Sequence, residues 1–420
     1  MGVTQLTDPM TFEITLGQPV KGKDFFDREE TIMEIWNSLE RTSVLLVAPR
    51  RFGKTSIMRK LSDNPKNGFK PLFFDVEHIE SPQEFILELL EEIQKRGTWK
   101  ERTATGIKKL LTTAGEHIEE VEAASLRVKL RESKNVNWKM LGKQLLKIVT
   151  KYEKKFLIIL DEFPEMIKLM IENDKKASTN ESKVFLAWMR QLRLTMPEDL
   201  QLRFLFAGSI SLDSIVGKIH CGPKINDLKR IKVGPFSQKH AQEFIKALFQ
   251  SENIKIQELV IDAMLEEIGT PIPYFIQVLT SALVRESRDQ GCQIDREFVQ
   301  EVYQQYLLGS DYKNYFDHYH LRLAEYYLDS DNSLEKVNVA KRILTEISIV
   351  DISPAQQLYQ LYLEGTGTTE DPEGFAELMG LLQDEFYLEY LPGEESYRFY
   401  SKLLRDWWYR HFAVVKVRER

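Results

Sequence analysis

The stretch "VLLVAPRRFGKTSIMRKL", residues 44–61, constrains this chain more than any other. An apolar, β-branched run breaks into a short loop ending Gly53-Lys54-Thr55, and a helical pattern follows at once. Strand, loop and helix in that order let backbone N–H groups and a helix N-terminus wrap an anion. A lysine then reaches the outer phosphates, and a hydroxyl is placed for a metal ion. The candidate contacts are Pro49, Arg50, Arg51, Phe52, Gly53, Lys54, Thr55 and Ser56. Ala48 stands where such loops begin with glycine; it costs little if its φ is negative, because Gly53 is the residue that must approach phosphate closely.

A strand that ends in such a loop belongs in a parallel sheet, and the chain supplies the others. "PLFFDV" (71–76), "FLIILDE" (156–162), "RFLFAGS" (203–209) and "RIKVGPF" (230–236) are strand-length apolar runs separated by helical patterns. Near-continuous apolar strands alternating with helices predict an α/β unit whose sheet is covered on both faces. Residues 91–155 between the second and third strands read as helical elaboration, with an amphipathic helix over 138–151 and one strand-like piece, "SLRVKLRES" (125–133). After Phe236 the periodicity turns helical through "SQKHAQEFIKALFQ", "IQELVIDAMLEEIG", "PIPYFIQVLTSALVRESRDQ" and "REFVQEVYQQYLL". The last segment carries two aromatic strand-like stretches around "LPGEES", a hairpin signal, and then a Trp-rich helix. The expected organisation is an N-terminal segment (1–21), an α/β domain carrying the phosphate loop (22–236), a helical lid (237–309) and a helical, winged-helix-like domain (310–420).

Two further elements belong with the loop. "FLIILDEFPEM" delivers Asp161 and Glu162 to the end of an apolar strand, where Asp161 with Thr55 can hold Mg²⁺ and Glu162 can polarise an attacking water. "RFLFAGS" puts Ser209 at another strand end, as a polar sensor of the γ-phosphate or as a turn or N-cap serine. Arg50 and Arg51 suit a phosphate, a carboxylate or a neighbouring protomer.

With "APRRFGKTS", "LIILDEFPEM" and "FLFAGSISL" in this order, the sequence resembles the archaeal-type P-loop ATPases, of the STAND branch related to AAA+ and Orc/Cdc6 proteins. The resemblance covers roughly residues 22–282. Upstream, "FFDREETIMEIW" is similar to the family's hydrophobic-Gly-Arg-Glu element, with Asp27 in the glycine position and Arg28 matching the arginine. Downstream, "PIPYFIQVL" resembles the family's Gly-x-Pro stretch, with Pro271 in the glycine position and Pro273 matching the proline near the adenine. The family also implies an arginine after the Ser209 strand, and within "KINDLKRIKV" Arg230 is the favoured candidate. The resemblance thus implies an ATP and Mg²⁺ site with Lys54, Glu162, Ser209 and Arg230 in catalytic roles.

Three uses of ATP compete: a regulatory switch acting through a protein partner or a homo-oligomer, a DNA-binding protein using the winged helix, and a nucleotide-stabilised scaffold with little turnover. The chain of 420 residues has a net charge of -7, which argues against coating nucleic acid. Residues 351–400 hold eleven acids and one base, Arg398, so a recognition helix there would meet DNA phosphate with like charge. Lys402, Arg405, Arg410, Lys416, Arg418 and Arg420 leave DNA contact through the chain's end as a minority reading. Trp407, Trp408, Tyr409 and Phe412 read as core, and His318 and His320, two apart with no acid or Cys cluster, as a polar helix face. Two distant cysteines, strand-length apolar runs and no signal peptide predict a cytoplasmic protein without disulfides or membrane spans.

Overall fold

The structure is a computed structural model that describes residues 14, 16, 25–26, 28–95, 137–152, 154–195, 201–208, 210–310, 312–325 and 333–414. It divides into two compact units, Asp27–Val233 and a second made of Met1–Phe26 with Gly234–Arg420. The described elements of the first are α1 (Glu29–Leu39), β1 (Val44–Val47), α2 (Lys54–Asp63), β2 (Lys70–Asp75), α3 (Pro82–Lys95), α4 (Trp138–Tyr152), β3 (Lys155–Asp161), α5 (Phe163–Ala177), α6 (Glu181–Thr195), β4 (Gln201–Phe206), α7 (Leu212–Lys218) and β5 (Lys229–Lys232).

The five strands form one parallel sheet in the order β2-β3-β4-β1-β5. All five apolar runs of the sequence are strands, each shifted by a residue or two, because a parallel strand buried on both faces is apolar throughout. Phe156 to Leu160 of β3 are wholly buried. Crossover helices cover the sheet, and Phe85 of α3, Trp138 of α4 and Phe185 and Trp188 of α6 pack together beside it, Phe85 edge to face on Phe185 and Trp138 edge to face on Trp188. The strand-like piece at 125–133 lies outside the described residues.

The second unit contains α8 (Gln238–Ser251), α9 (Glu258–Ile268), α10 (Pro273–Gln290), α11 (Arg296–Val302), α12 (Asp317–Glu325), α13 (Ser333–Val350), β6 (Ile352–Pro354), α14 (Ala355–Thr366), α15 (Pro372–Asp384), β7 (Leu388–Leu391), β8 (Ser396–Phe399) and α16 (Lys402–Trp408). Its small sheet has the order β6-β8-β7, antiparallel throughout, and β7 and β8 are the hairpin around "LPGEES". Phe26 packs on Phe236 and Phe244 within this unit.

Trp407 and Trp408 are fully buried, and the Trp408 indole N–H donates to Thr345 on α13 at 3.1 Å, while Tyr409 is exposed. His320 departs from the expected polar face: its ring stacks on Phe412 with centroids 4.2 Å apart. Its ring also lies 5.6 Å from that of Trp408, so an aromatic surface half-buries it. No helix among the described residues is long and apolar enough to cross a membrane. Both cysteines are free, Cys221 buried and Cys292 exposed.

Candidate active site

The loop of residues 48–53 leaves the C-terminal end of β1 and turns into α2. Ala48 is not among the positive-φ residues, so alanine costs the backbone nothing there. The left-handed positions are Arg51, at φ 71°, and Gly53, at φ 87°, which caps α2. An added Cβ at Gly53 would meet nothing within 4 Å, so glycine is demanded there by the backbone and not by crowding. Phe52 and Pro49 are buried and anchor the loop, Ser56 is buried in the first turn of α2, and Arg50 is half-buried. Lys54 is 6% exposed, and its Nζ donates to the loop's own Ala48 and Pro49 carbonyls at 2.6 and 2.7 Å.

Because β4 is inserted between β1 and β3, the loop and the end of β3 face each other across the end of β4. There the Thr55 hydroxyl donates to Asp161 Oδ2 at 2.7 Å, joining residues 106 positions apart. Glu162 caps α5 with a left-handed backbone, φ 55° and ψ 33°. Its N–H donates to Asp161 Oδ1 at 3.2 Å, and the next N–H, of Phe163, is claimed by the Ala207 carbonyl at 3.0 Å. That bond to the end of β4 requires the chain to turn sharply between strand and helix. A carboxylate residue takes the strained conformation, a kind of strain that collects at functional sites.

Two residues of this edge carry roles that the sequence reading missed. Gly208 lies so close to the start of α5 that an added Cβ would sit 2.3 Å from Pro164 Cδ and 3.5 Å from Glu162 Oε2. Its signal was a lone glycine directly after an apolar strand, a mark of close backbone approach. Asp75 ends β2 in register with Asp161, and the shared pattern of an apolar run ending in Asp was its signal. Burial raises the Asp161 carboxyl above the ordinary range; the Thr55 hydrogen bond and Lys54 oppose this, and the charges of Glu162 and Asp75 add to it.

Crowded carboxylates beside a hydroxyl are a hard-oxygen donor set that suits a divalent cation. Among the described residues no three His, Cys, Asp or Glu side chains converge as a metal site. Thr55 and Asp161 are the residues here that could hold a Mg²⁺ ion, which is commonly bound by one or two carboxylates plus phosphate oxygens.

The remaining predicted residues divide as follows. Arg50 pairs with Glu165 on α5 at 3.7 Å, the carboxylate among the three partners that suited it. Arg28 caps α1 with φ 124°, and its carbonyl accepts the Ile32 N–H at 2.8 Å. Arg230 is bonded to Asp213 on α7 and stands in register with Leu45, two residues short of the end of β1. Pro273 opens α10 in the second unit, and Ser209 and Asp27 lie outside the described residues.

A parallel sheet in this order, with a Gly-Lys-Thr loop after β1 and an Asp-Glu pair after β3, defines a P-loop ATPase. The profile of a family of ATPase domains predominantly from Archaea matches residues 25–271, more than half of the chain. The protein belongs to that family and is a nucleotide-binding ATPase. A Walker-type ATPase of Pyrococcus abyssi shares 18% sequence identity, with 94% of this chain and 99% of that chain covered and a TM-score of 0.62. That likeness establishes a shared fold. The ORC2 protein of Aeropyrum pernix, in complexes with ADPNP and ADP, is 10% identical, with 88% of each chain covered and a TM-score of 0.47. The RuvB Holliday junction branch migration motor of Thermotoga maritima is 12% identical, with 88% and 92% covered and a TM-score of 0.41. Both are too distant to argue from. No curated protein matches the chain.

Proposed function

We propose that the protein is a Mg²⁺-dependent regulatory ATPase, a STAND-type switch that acts through a protein partner or through self-association. The observation that carries this reading is the 2.7 Å hydrogen bond between Thr55 and Asp161, which brings the two metal-ligating types together at the mouth of the loop. Lys54 exchanges its two loop carbonyls for phosphate oxygens, at little net cost because one set of acceptors replaces another. Thr55 and Asp161 would hold Mg²⁺, which would supply neutralising charge to the phosphates. Glu162 orients a water and accepts its proton as the water oxygen bonds to phosphorus and the bridging P–O bond breaks toward ADP. The strained cap of α5 fixes Glu162, and the closeness of Gly208 keeps the first turn of that helix in place.

Residues 22–236 form the ATPase domain in this reading, 237–309 a lid and 310–420 a winged-helix-like domain in a cytoplasmic protein. The order α13-β6-α14-α15-β7-β8 with sheet order β6-β8-β7 supports the winged helix. DNA is the weaker partner. Lys402 pairs with Glu267 and Asp406, Arg405 with Asp351 and Asp406, and Arg410 with the Gln304 carbonyl, so these cations are engaged within the fold. Lys416, Arg418 and Arg420 lie outside the described residues.

The metal assignment is tested by measuring turnover with magnesium and with a chelator, in the parent and in Thr55→Val. The expected result is turnover lost on chelation and reduced by about 100-fold in the variant, the range of several kcal/mol that a bound cation supplies. Turnover that survives chelation would overturn it.

A further inference from the structure

The contact that the phosphate chemistry leaves unused is the one between the loop and α5. Glu165 is 9% exposed and has a cation at each oxygen: Arg50 at 3.7 Å from Oε1 and Lys168 at 3.8 Å from Oε2. A buried carboxylate needs a cation, and removing its only one is costly. Here the cations differ in kind. Lys168 lies one turn along the same helix, whereas Arg50 belongs to the loop that receives the phosphates. Arg50 can leave without stripping Glu165 of charge compensation.

We propose that Arg50 is a terminal-phosphate contact held in reserve by Glu165, and that this exchange is how the site distinguishes ATP from ADP. Glu165 is three residues from Glu162 in the first turn of α5. A guanidinium held there is tied to the first turn of the helix that Glu162, the residue read as the water-activating base, opens. A γ-phosphate carries the charge and the paired oxygens that a guanidinium fork binds best. ADP has no such group at that point, so Arg50 stays with Glu165. The inference rests on the loop being the nucleotide site.

The test measures ATP and ADP dissociation constants on the full chain with magnesium, for the parent, Glu165→Gln, Arg50→Gln and the double variant. Glu165→Gln is near-isosteric and frees Arg50. It is expected to tighten ATP by about 5- to 10-fold and leave ADP unchanged, as for loss of one competing, partly buried ion pair. Arg50→Gln is expected to weaken ATP by about 10-fold or more with ADP unchanged, and Glu165→Gln is expected to have no effect on that background. Should Glu165→Gln not fold, Arg50→Lys serves instead: it keeps the charge, loses the fork, and is expected to lower the ATP-to-ADP affinity ratio. An unaltered ratio with ADP binding intact in these variants overturns the proposal while the nucleotide site stands. A parent that binds neither nucleotide overturns both.

Discussion

Buried charge is put to different uses in the two units. In Asp27–Val233 the buried Lys54, Asp161 and Glu165 cluster beside the C-terminal ends of β1 and β3, while buried Asp174 near the end of α5 accepts from Glu181 and Ser182 at the start of α6. In the second unit they join helix to helix. Arg322 of α12 pairs with Glu385 after α15, each 3% exposed, and buried Tyr303 donates to Asp406 of α16 at 2.9 Å. Lys402 pairs with Glu267 of α9 and lies over the Tyr303 ring, with its Nζ 4.7 Å from the centroid. Burial of a charge is therefore no sign of chemistry by itself. What separates the units is the partner: in the first, Lys54 is held by backbone carbonyls that a ligand can replace, and in the second the partners are fixed side chains.

Glu385→Gln probes that difference most strongly. It removes the negative charge of Glu385 beside buried Arg322, and is expected to destabilise the second unit by about 3–5 kcal/mol. Denaturant unfolding should show this loss, with ATP affinity of the folded fraction unchanged. A stability within about 1 kcal/mol of the parent would mean that the pair is not holding the unit together.

Gly208→Ala works in reverse, on chemistry without charge. The added methyl meets Pro164 and displaces the cap that carries Glu162. The expected loss is about 100-fold in kcat, the usual cost of a displacement near 1 Å, with ATP affinity nearly unchanged. Equal losses in binding and turnover would show that Gly208 serves the loop and not α5.

The smallest effect concerns pH. Burial, aided by the nearby charges of Lys341 and Lys313 and opposed by Asp317, lowers the His320 pKa from 6.5 to about 4. The neutral ring thus favours the folded state. Its contribution is complete above pH 6.5 and is lost as pH falls toward about 4. The stability difference between the parent and His320→Gln should shrink over that interval; a constant difference would place the ring in water.

Much of the first unit was legible because its signals are local. Continuous apolar runs mark strands buried on both faces, and Gly53-Lys54-Thr55 and Asp161-Glu162 follow two of them directly. The pairing of Arg50 with Glu165, the register of Asp75 with Asp161 and the approach of Gly208 to Pro164 were not legible. They arise from strand order, and no local pattern states that β4 enters between β1 and β3. His320 was misjudged for a related reason: its face is set by Phe412, far along the chain, and not by its neighbours in the helix. The left-handed backbone of Arg51 and Glu162 was hidden because neither is a glycine.

The central claim is that Glu162 activates water at an edge where Lys54 binds phosphate. It is tested most directly by measuring ATP turnover and ATP binding together in the parent and in Glu162→Gln, with Lys54→Ala as the control that loses binding. The account predicts that Glu162→Gln binds ATP within about threefold of the parent and hydrolyses it at least about 100-fold more slowly. Hydrolysis by Glu162→Gln as fast as the parent's would contradict it.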